Sequence, residues 1–532
     1  MSGRTAAIAN VLLVSTLVVP ALAALVLPLC RLVVARVVAL LACLWTLAAS
    51  GALLVGHHPA RSAVDPWHEV DWAWVAALRL RFHIGVDGIS WPLVLLTSLL
   101  VACCVFYLIF GVSGDQAEAE SQRRIPLLLS LVFALQTAML GVFMSLDVVL
   151  FFVFFELTLA PMYAVIAGWG GPHRRPAAMK FLLYTGLGSL LLAIGVLLLV
   201  SAAGTADLTQ LSAPGGAGLS HYTQLAVFVL LLLAFAIKAP LWPLHTWLPD
   251  AHTQAPTVGS VLLAGVLLKL GSYGLIRLTL PVLPEAARSA AWLLGAAAVA
   301  AIVIGALVCL AQTELKRMIA YSSVGHMGFV LLGVASAAAG SEIGLQAALL
   351  GNLAHGVITS LLFFLVGSVK DRWGSTELTA CVGLAARLPL LAALLCFGAV
   401  ASFGLPSLAG FWGEAFSMLA AWQQVDVWWR LYATIAAVAA AIVVAYFLRA
   451  LYYLSKASDH PTDVFPENVP QAPSSTTFSL KTPGGRLAEP LTAGELLAVV
   501  PLVLVTLVLG VWPGGILSLS AGAVAAIISG AS

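Results

Sequence analysis

The chain has 532 residues, of which 61% are hydrophobic and only 9% are charged, and its net charge is +2. This balance excludes an ordinary soluble globular protein, and the small net charge indicates no nucleic-acid partner. Apolar runs long enough to cross a hydrocarbon core of roughly 30 Å recur from one end to the other. Because lipid offers the backbone no hydrogen-bond partner, these runs must be helices. We predict an all-α polytopic membrane protein in the lipid bilayer.

About fourteen transmembrane helices are predicted along the chain. They fall near 6–28, 32–55, 85–110, 125–143, 147–168, 177–203, 221–247, 257–279, 290–311, 317–335, 343–369, 387–422, 429–455 and 493–528. Lysines and arginines are concentrated in alternate loops, for example at Arg174 and Arg175, and are sparser in the loops between. The positive-inside rule then predicts that both termini lie on the outer side. The same count leaves Lys238 and Lys269 as the only basic residues deep in the membrane.

Two of the predicted helices are interrupted by proline, at Pro240 and at Pro406. Proline removes a helix hydrogen bond and clashes with the preceding turn, so each helix should break there. Broken helices in matching places of two halves indicate inverted repeats with a transport site at the break. We predict two inverted five-helix repeats, each containing a broken helix. The predicted regions are 1–124 (three helices with outer loop 56–84), 125–279 (first repeat), 290–455 (second repeat), 456–490 (inner connector) and 491–532 (the fourteenth helix and a tail).

Four charged residues lie inside runs that otherwise resemble lipid-embedded helix: Glu156, Lys238, Lys269 and Glu414. Charging a side chain near the bilayer centre costs several kcal/mol, so such residues mark ion or proton pathways. The alternative is a static salt bridge that holds helices together. A buried lysine holds its proton when a carboxylate is near and releases it when the carboxylate withdraws, whereas arginine does not release its proton.

The outer loop and the cysteines give weaker indications. Alternating residues in WVAALRLRFHIGV predict a short hairpin packed on the outer face. His57, His58 and His68 are candidate metal ligands, but exposed, solvated histidines are the favoured interpretation. The seven cysteines lie mostly in apolar runs without ligand spacing and are interpreted as buried hydrophobic residues. We therefore predict no metal and no bound cofactor in this chain.

Several long motifs closely resemble the antiporter-like subunits of respiratory complex I, a family that also includes large subunits of Mrp antiporters and of energy-converting hydrogenases. The motifs are FELTLAPMY, KAPLWPLHTWLPDAHTQAPTVGSVLLAGVLLKLG, LKRMIAYSSVGHMGF and GVDGIS. The resemblance implies fourteen helices with two inverted five-helix repeats. Glu414 in FWGEAF, where most members have lysine, resembles the M-type subunit. The absence of a long lateral helix after the fourteenth span also resembles that subunit.

The resemblance also implies roles for individual residues. Glu156 on the fifth helix would pair with Lys238 on the seventh, Lys269 would carry protons to the second half, and Glu414 would be the terminal group. Further polar members of a hydrated axis would be His245, His326 and His355. Each of these histidines has an alternative interpretation as a core residue with satisfied hydrogen bonds. For His252, the sequence does not separate a relay role from the shaping of a loop.

The implied function is proton translocation coupled to NADH:quinone electron transfer in other subunits. Those subunits would hold NADH, FMN, iron–sulfur clusters and quinone, and L-like and N-like antiporter subunits would flank this chain. The expected location is the bacterial plasma membrane. The alternatives are a subunit of an Mrp-type Na⁺/H⁺ antiporter or of an energy-converting hydrogenase, and a non-conducting scaffold. The four intramembrane charges argue against the scaffold, because they are costly to retain.

Overall fold

The computed structural model describes residues 3–75, 80–111, 124–456 and 490–530, and helices make up most of them. Thirteen of the helical segments described are long and apolar enough to cross a membrane. A further predicted span, 387–422, is formed by two shorter apolar helices separated by a break. The fold class predicted from the sequence, a polytopic helical protein with about fourteen spans, is confirmed. The predicted inner connector 456–490 lies, apart from its two end residues, outside the described residues.

Within the described residues, the N-terminal region contains three long helices and one β-hairpin. Its elements are α1 (Gly3–Val26), α2 (Leu32–Ala52), β1 (His68–Val75), β2 (Leu80–Val86) and α3 (Trp91–Phe110). The two strands pair antiparallel, with His68 opposite Val86, so the hairpin predicted from the alternating pattern is present. The hairpin is anchored where the next helices meet, because the amide of Leu146 donates to the carbonyl of His83 at 2.9 Å.

The middle of the chain contains the first predicted repeat. Its elements are α4 (Ile125–Met144), α5 (Val148–Leu157), α6 (Leu159–Trp169), α7 (Arg174–Ala203), α8 (Leu208–Leu211), α9 (His221–Lys238), α10 (Trp247–Gln254) and α11 (Thr257–Thr279). The predicted helix 221–247 ends at Lys238 because Pro240 and Pro243 cannot continue it. Two π-helical turns, Leu263–Leu267 and Leu275–Thr279, widen α11 on either side of Lys269.

The second predicted repeat follows without a long connection. Its elements are α12 (Pro284–Ala311), α13 (Leu315–Ala338), α14 (Glu342–Trp373), α15 (Leu384–Arg387), α16 (Pro389–Ser402), α17 (Ala409–Trp422) and α18 (Val427–Ser455). Between α16 and α17 the backbone has positive φ at Gly404 and Ser407, 75° in each case. This left-handed turn, together with Pro406, ends α16 and lets α17 begin in a new direction.

The C-terminal run predicted as 493–528 divides into α19 (Ala493–Val511) and α20 (Gly514–Gly530) at Pro513. The centre of the molecule is occupied by α11, α13 and α14. In the most apolar stretch of each helix, 100%, 94% and 94% of the residues, respectively, are buried inside the protein. Helix α14 packs against both α13 and α17. Side chains on these central helices are therefore surrounded by protein, and they form the candidate site.

Candidate functional site

Lys238 is the last residue of α9, at the break of that helix, and is only 3% exposed. Its ammonium donates to the hydroxyl of Thr158 at 3.1 Å and lies 4.9 Å from the centre of the Phe155 ring. Thr158 is the single residue that separates α5 from α6. The broken helix therefore presents its lysine to a second point where helical structure is interrupted.

Glu156 lies between these two contact residues in sequence, but it makes no direct ion pair with Lys238 in the part of the chain that the structure describes. The carboxylate is half-buried, and its Oε1 has no hydrogen-bond partner among the described residues. The predicted direct pairing is thus replaced by a separated arrangement in which the Thr158 hydroxyl contacts the lysine. A change of side-chain rotamer is sufficient to alter how strongly the carboxylate acts on the lysine.

Lys269 is completely buried in α11. Its amine contacts the carbonyl of Ala264 at 2.5 Å and Nδ1 of His355 at 2.5 Å. The carbonyl is five residues back, a separation that suits the π-helical turn there. Helix α11 also approaches α9 closely, since a Cβ at Gly271 would lie 2.6 Å from the amide nitrogen of Ala239. Glycine at this position lets the lysine-bearing helix pack against the break beside Lys238.

A series of neighbouring polar side chains leads from Lys269 across the second half. The rings of His355 and His326 lie 5.8 Å apart, and Nε2 of His326 lies 3.4 Å from Oε1 of Glu414. A cavity of about 20 Å³ adjoins His326, His355 and Glu414, which is room for about one water. We call Lys269, His355, His326 and Glu414 the central chain.

His326 has a particular environment within the central chain. Its Nδ1 faces the carbonyl of Ser322 at 2.7 Å, and its Nε2 faces the carbonyl of Ser402 at 2.8 Å. Both nitrogens can donate to these acceptors only when the ring carries two protons. The nearby carboxylate of Glu414 would balance the resulting charge, so this position is suited to hold and pass a proton.

The position of Glu414 depends on small residues around the second break. A Cβ added to Gly404 would lie 3.0 Å from the carboxylate of Glu414, and one added to Gly413 would lie 2.6 Å from Cα of Gly351. The first glycine leaves room for the carboxylate, and the second lets α17 cross close to α14. Glu414 is 8% exposed as a result.

The remaining two predicted residues make no hydrogen bond to the central chain within the described residues. His245 is 8% exposed in the α9–α10 connection, with its ring 6.4 Å from that of Tyr321. His252 in α10 is fully buried and stacks on Phe363 with ring centres 4.7 Å apart. Neither ring nitrogen of His252 has a hydrogen-bond partner within the described ranges. The structure therefore brings Lys269, His355, His326 and Glu414 together and leaves His245 and His252 separate.

Three features differ from the sequence interpretation. Besides Lys238 and Lys269, two further basic residues are buried within the protein, because Arg277 is 2% and Lys316 is 6% exposed. Arg277 pairs with Asp87, which is 1% exposed and belongs to the GVDGIS motif. His68 is also buried, with its Nε2 2.8 Å from the carbonyl of Val55, so it is not a solvated histidine. The sequence assigned Arg277 and Lys316 to loops because both lie at the ends of apolar runs.

A charged cluster outside the membrane spans anchors the hairpin. The ring of His83 lies 3.2 Å from Glu69 and 3.7 Å from Asp207. Burial acts to lower the pKa of His83, but the neighbouring carboxylates of Asp207 and Glu69 prevail and raise that pKa. Burial acts to raise the pKa of Asp207, yet the nearby His83 ring and the hydrogen bonds from Thr209 lower it to about 2. The pair is therefore an ion pair at mildly acidic pH.

The helical fold, the broken helices and the buried lysine–histidine–glutamate chain together define an antiporter-like polytopic membrane protein. Residues 145–441 match the profile of a family described as NADH:quinone oxidoreductase/Mrp antiporter, transmembrane. The chain belongs to this family.

Similar proteins agree with that assignment. NADH-quinone oxidoreductase subunit M of Rhodobacter capsulatus is 37% identical over 504 residues, 93% of this chain and 90% of the relative. A chain of respiratory complex I from Thermus thermophilus with bound NADH superposes with a TM-score of 0.81, 28% identity and coverage of 98% and 99%. A chain of the Mrp complex from Dietzia sp. DQ12-45-1b gives 0.79 at 23% identity, with 98% of each chain covered. At that identity, the last comparison shows the shared fold alone.

Proposed function

We propose that this chain is a proton-translocating, antiporter-like membrane subunit of a proton-pumping NADH-quinone oxidoreductase. The observation that carries the proposal is the central chain, in which an amine, two imidazoles and a carboxylate follow one another inside the membrane-spanning bundle. Each of these groups can take up and release a proton. Burying ionisable groups inside the membrane is costly, so they are generally retained where protons or ions move. The 37% identical relative named as subunit M supports this particular complex.

In this proposal, Glu156, Lys238 and His245 serve the first half, and the central chain serves the second. The amine of Lys238 alternates between the Thr158 hydroxyl and the influence of the Glu156 carboxylate. Approach of the carboxylate favours the charged lysine, and its withdrawal favours release of the proton toward α11. Lys269 receives that proton and passes it through His355 and His326 to Glu414.

The helix order supports the two proposed repeats, 125–279 and 290–455. Each contains five spans, and in each the fourth span is broken, by α9 and α10 in the first and by α16 and α17 in the second. An odd number of spans in a repeat makes the second copy inverted in the membrane. In this arrangement both termini lie on the outer side.

We propose a bacterial plasma-membrane location, with L-like and N-like antiporter subunits on either side of this chain. The electron-transfer cofactors NADH, FMN, iron–sulfur clusters and quinone would be held in other subunits, so this chain would contribute no redox centre. Its work would be driven by electron transfer elsewhere in the complex.

Cation/proton exchange in an Mrp-type complex is the second candidate, favoured by the shared fold. The carboxylate at Glu414, where the resemblance implies lysine for the Mrp large subunits, argues against it. The two functions differ in their driver: an NADH-driven pump acidifies inverted vesicles without sodium, whereas an exchanger needs a sodium gradient.

The test is proton uptake by inverted membrane vesicles carrying the Lys238→Ala variant, with NADH:quinone electron transfer measured in parallel. We expect assembled complex, strongly reduced pumping and slower coupled electron transfer. A matched control is Lys370→Gln, which changes an exposed lysine at the end of α14 and should pump normally. Full pumping by an intact Lys238→Ala complex would contradict the proposal and support a scaffold.

A further inference from the structure

Lys316 is a buried cation that the proposed pathway does not use. It lies in the first turn of α13 and is 6% exposed. Its amine donates to the carbonyl of Ala255 at 2.6 Å and reaches the carbonyl of Thr253 at 3.5 Å. Within the described residues it has no carboxylate in ion-pair contact. A buried lysine held only by carbonyls can exist as the neutral amine or as the ammonium, because both forms donate hydrogen bonds.

On one side of Lys316 lies a polar cavity of about 290 Å³. Its lining includes Lys180, Asp250, Thr253 and Arg317, and the amine of Lys180 contacts Asp250 at 2.7 Å. Since one water occupies about 30 Å³ in the liquid, the cavity has room for several. Thr253 lines this cavity and also offers its carbonyl to Lys316. Thr253 therefore lies between the buried amine of Lys316 and a space that water can fill.

His252 directly precedes Thr253, whose carbonyl the Lys316 amine reaches. The ring is fully buried and stacks on Phe363 of α14, the helix that carries His355. Its backbone carbonyl accepts a hydrogen bond from Ser260 of α11, the helix that carries Lys269, at 3.1 Å. Both ring nitrogens lack a partner among the described side chains. An unpartnered buried imidazole is costly as a purely structural residue.

Helices α11 and α14 pack closely against each other at glycine residues. A Cβ added to Gly356 of α14 would lie 2.8 Å from the carbonyl of Gly265 and 3.5 Å from Cε of Lys269. A Cβ added to Gly265 would lie 2.5 Å from the hydroxyl oxygen of Ser360. The seam between α11 and α14 therefore places hydroxyl and backbone oxygens along the way from His252 to Lys269. Hydroxyls and waters can bridge the gaps between ionisable groups.

We propose that Lys316 and His252 form a proton-uptake branch that carries protons from the cavity beside Asp250 to Lys269. This inference rests on the proposed function. A hydronium ion that reaches the cavity from the aqueous phase gives its proton to the neutral amine of Lys316, which becomes an ammonium, and a water molecule remains. The ammonium then protonates the neutral ring of His252, and the ring releases a proton through the seam to the neutral amine of Lys269. Each transfer returns its donor to the starting state, so one proton moves inward.

The experiment compares Lys316→Arg and Lys316→Gln in the whole complex, in inverted vesicles driven by NADH. Arginine retains the positive charge and the hydrogen bonds to the carbonyls, but it does not release a proton. We expect both variants to assemble and both to lose pumping by at least about tenfold, since a positioned proton donor contributes roughly 10²–10⁴-fold. Lys456→Gln, which changes an exposed lysine directly after α18, serves here as the control with normal pumping.

His252→Gln is a second, independent variant, because glutamine keeps a polar group of similar size but does not carry a proton. It should show the same loss, with assembly checked on native gels. Normal pumping by Lys316→Arg would mean that Lys316 only holds the carbonyls, and it would overturn the inference, as would normal pumping by His252→Gln. In either case, loss of pumping in Lys238→Ala would leave the proposed function standing. Normal pumping in Lys238→Ala as well would overturn both.

Discussion

Two buried cations on the same helix, α11, have opposite surroundings. Arg277 contacts the Asp87 carboxylate and also donates to the carbonyl of Ala63 at 3.1 Å. Asp87 in turn accepts from the amides of Ile89 and Ser90 at 3.0 and 2.9 Å. Lys269, about two turns away, has no carboxylate in ion-pair contact within the described ranges and contacts an imidazole instead.

The comparison shows that burial by itself does not identify a proton carrier. A guanidinium paired with a buried carboxylate keeps its proton and holds two segments together. The Lys269 amine can transfer its proton to the neighbouring imidazole of His355. No carboxylate in ion-pair contact within the described part of the chain stabilises the charged lysine and opposes that transfer. Substitution of Arg277 should therefore reduce stability and assembly, whereas substitution of Lys269 should reduce proton pumping.

The largest effect is expected for Arg277→Gln. This variant leaves the buried Asp87 carboxylate without its partner, which typically costs about 3–5 kcal/mol. We expect little assembled complex and a lower melting temperature, measured by native gels and thermal denaturation in detergent. The double variant Asp87→Asn/Arg277→Gln removes both charges and should recover part of the loss. A stable, fully assembled single variant would show that the pair is not a structural clamp.

Lys269→Gln should assemble normally yet pump about 100-fold more slowly, because it removes the amine that begins the central chain. The glutamine amide can still donate toward the Ala264 carbonyl. Lys269→Arg tests the same point with the charge retained and should also fail, since arginine does not release its proton. Proton uptake by inverted vesicles measures both variants. Normal pumping by the arginine variant would show that only a fixed charge is needed.

A smaller effect is expected for Thr158→Val, which removes the hydroxyl that contacts Lys238 while keeping the shape of the side chain. Loss of one hydrogen bond to a charged group corresponds to about 1.5–3 kcal/mol at most, and water can replace part of it. We expect pumping to fall several-fold, with Thr158→Ser close to normal. Equal pumping by valine and serine variants would mean that Lys238 responds to Glu156 without this hydroxyl.

The smallest effect concerns the hairpin. The folded-state pKa of His83 is raised, so its ion pair contributes stability below the unfolded value of about 6.5 and loses it as pH rises through the folded value. Asp207, with a pKa of about 2, stays ionised throughout this window. Amide hydrogen exchange of β1 and β2, corrected for intrinsic rates, should therefore speed up as pH increases from about 6 to about 9. His83→Gln should lose that dependence, and an unchanged profile in this variant would assign the effect to another group.

Much of the fold followed from local pattern. Long apolar runs determine spanning helices because lipid does not satisfy an open backbone. Proline lacks the amide hydrogen that a helix interior needs, and helical structure is interrupted at Pro240 and Pro406 as predicted. The alternating residues before the GVDGIS motif correctly predicted a hairpin. The division of the last run at Pro513 was not predicted, although a proline marked it.

The candidate site was predictable only in part. The residue types Lys269, His355, His326 and Glu414 are unusual in apolar runs, and the resemblance to a known family indicated their order. The sequence did not show that Lys238 contacts Thr158 instead of Glu156, because that depends on side-chain direction at the end of α5. It also missed Arg277 and Lys316, since a charge at the end of an apolar run can lie in a loop or inside the bundle.

The sequence by itself determined a membrane protein of about fourteen helices, with two broken helices and a small set of ionisable residues in an apolar setting. These properties depend on hydrophobicity, proline geometry and the cost of burying charge, which are local to each segment. Only the tertiary structure decided which ionisable groups meet. The central chain joins α11, α13, α14 and α17, and contacts between segments distant in sequence depend on helix rotation and on close packing at glycines such as Gly271 and Gly413.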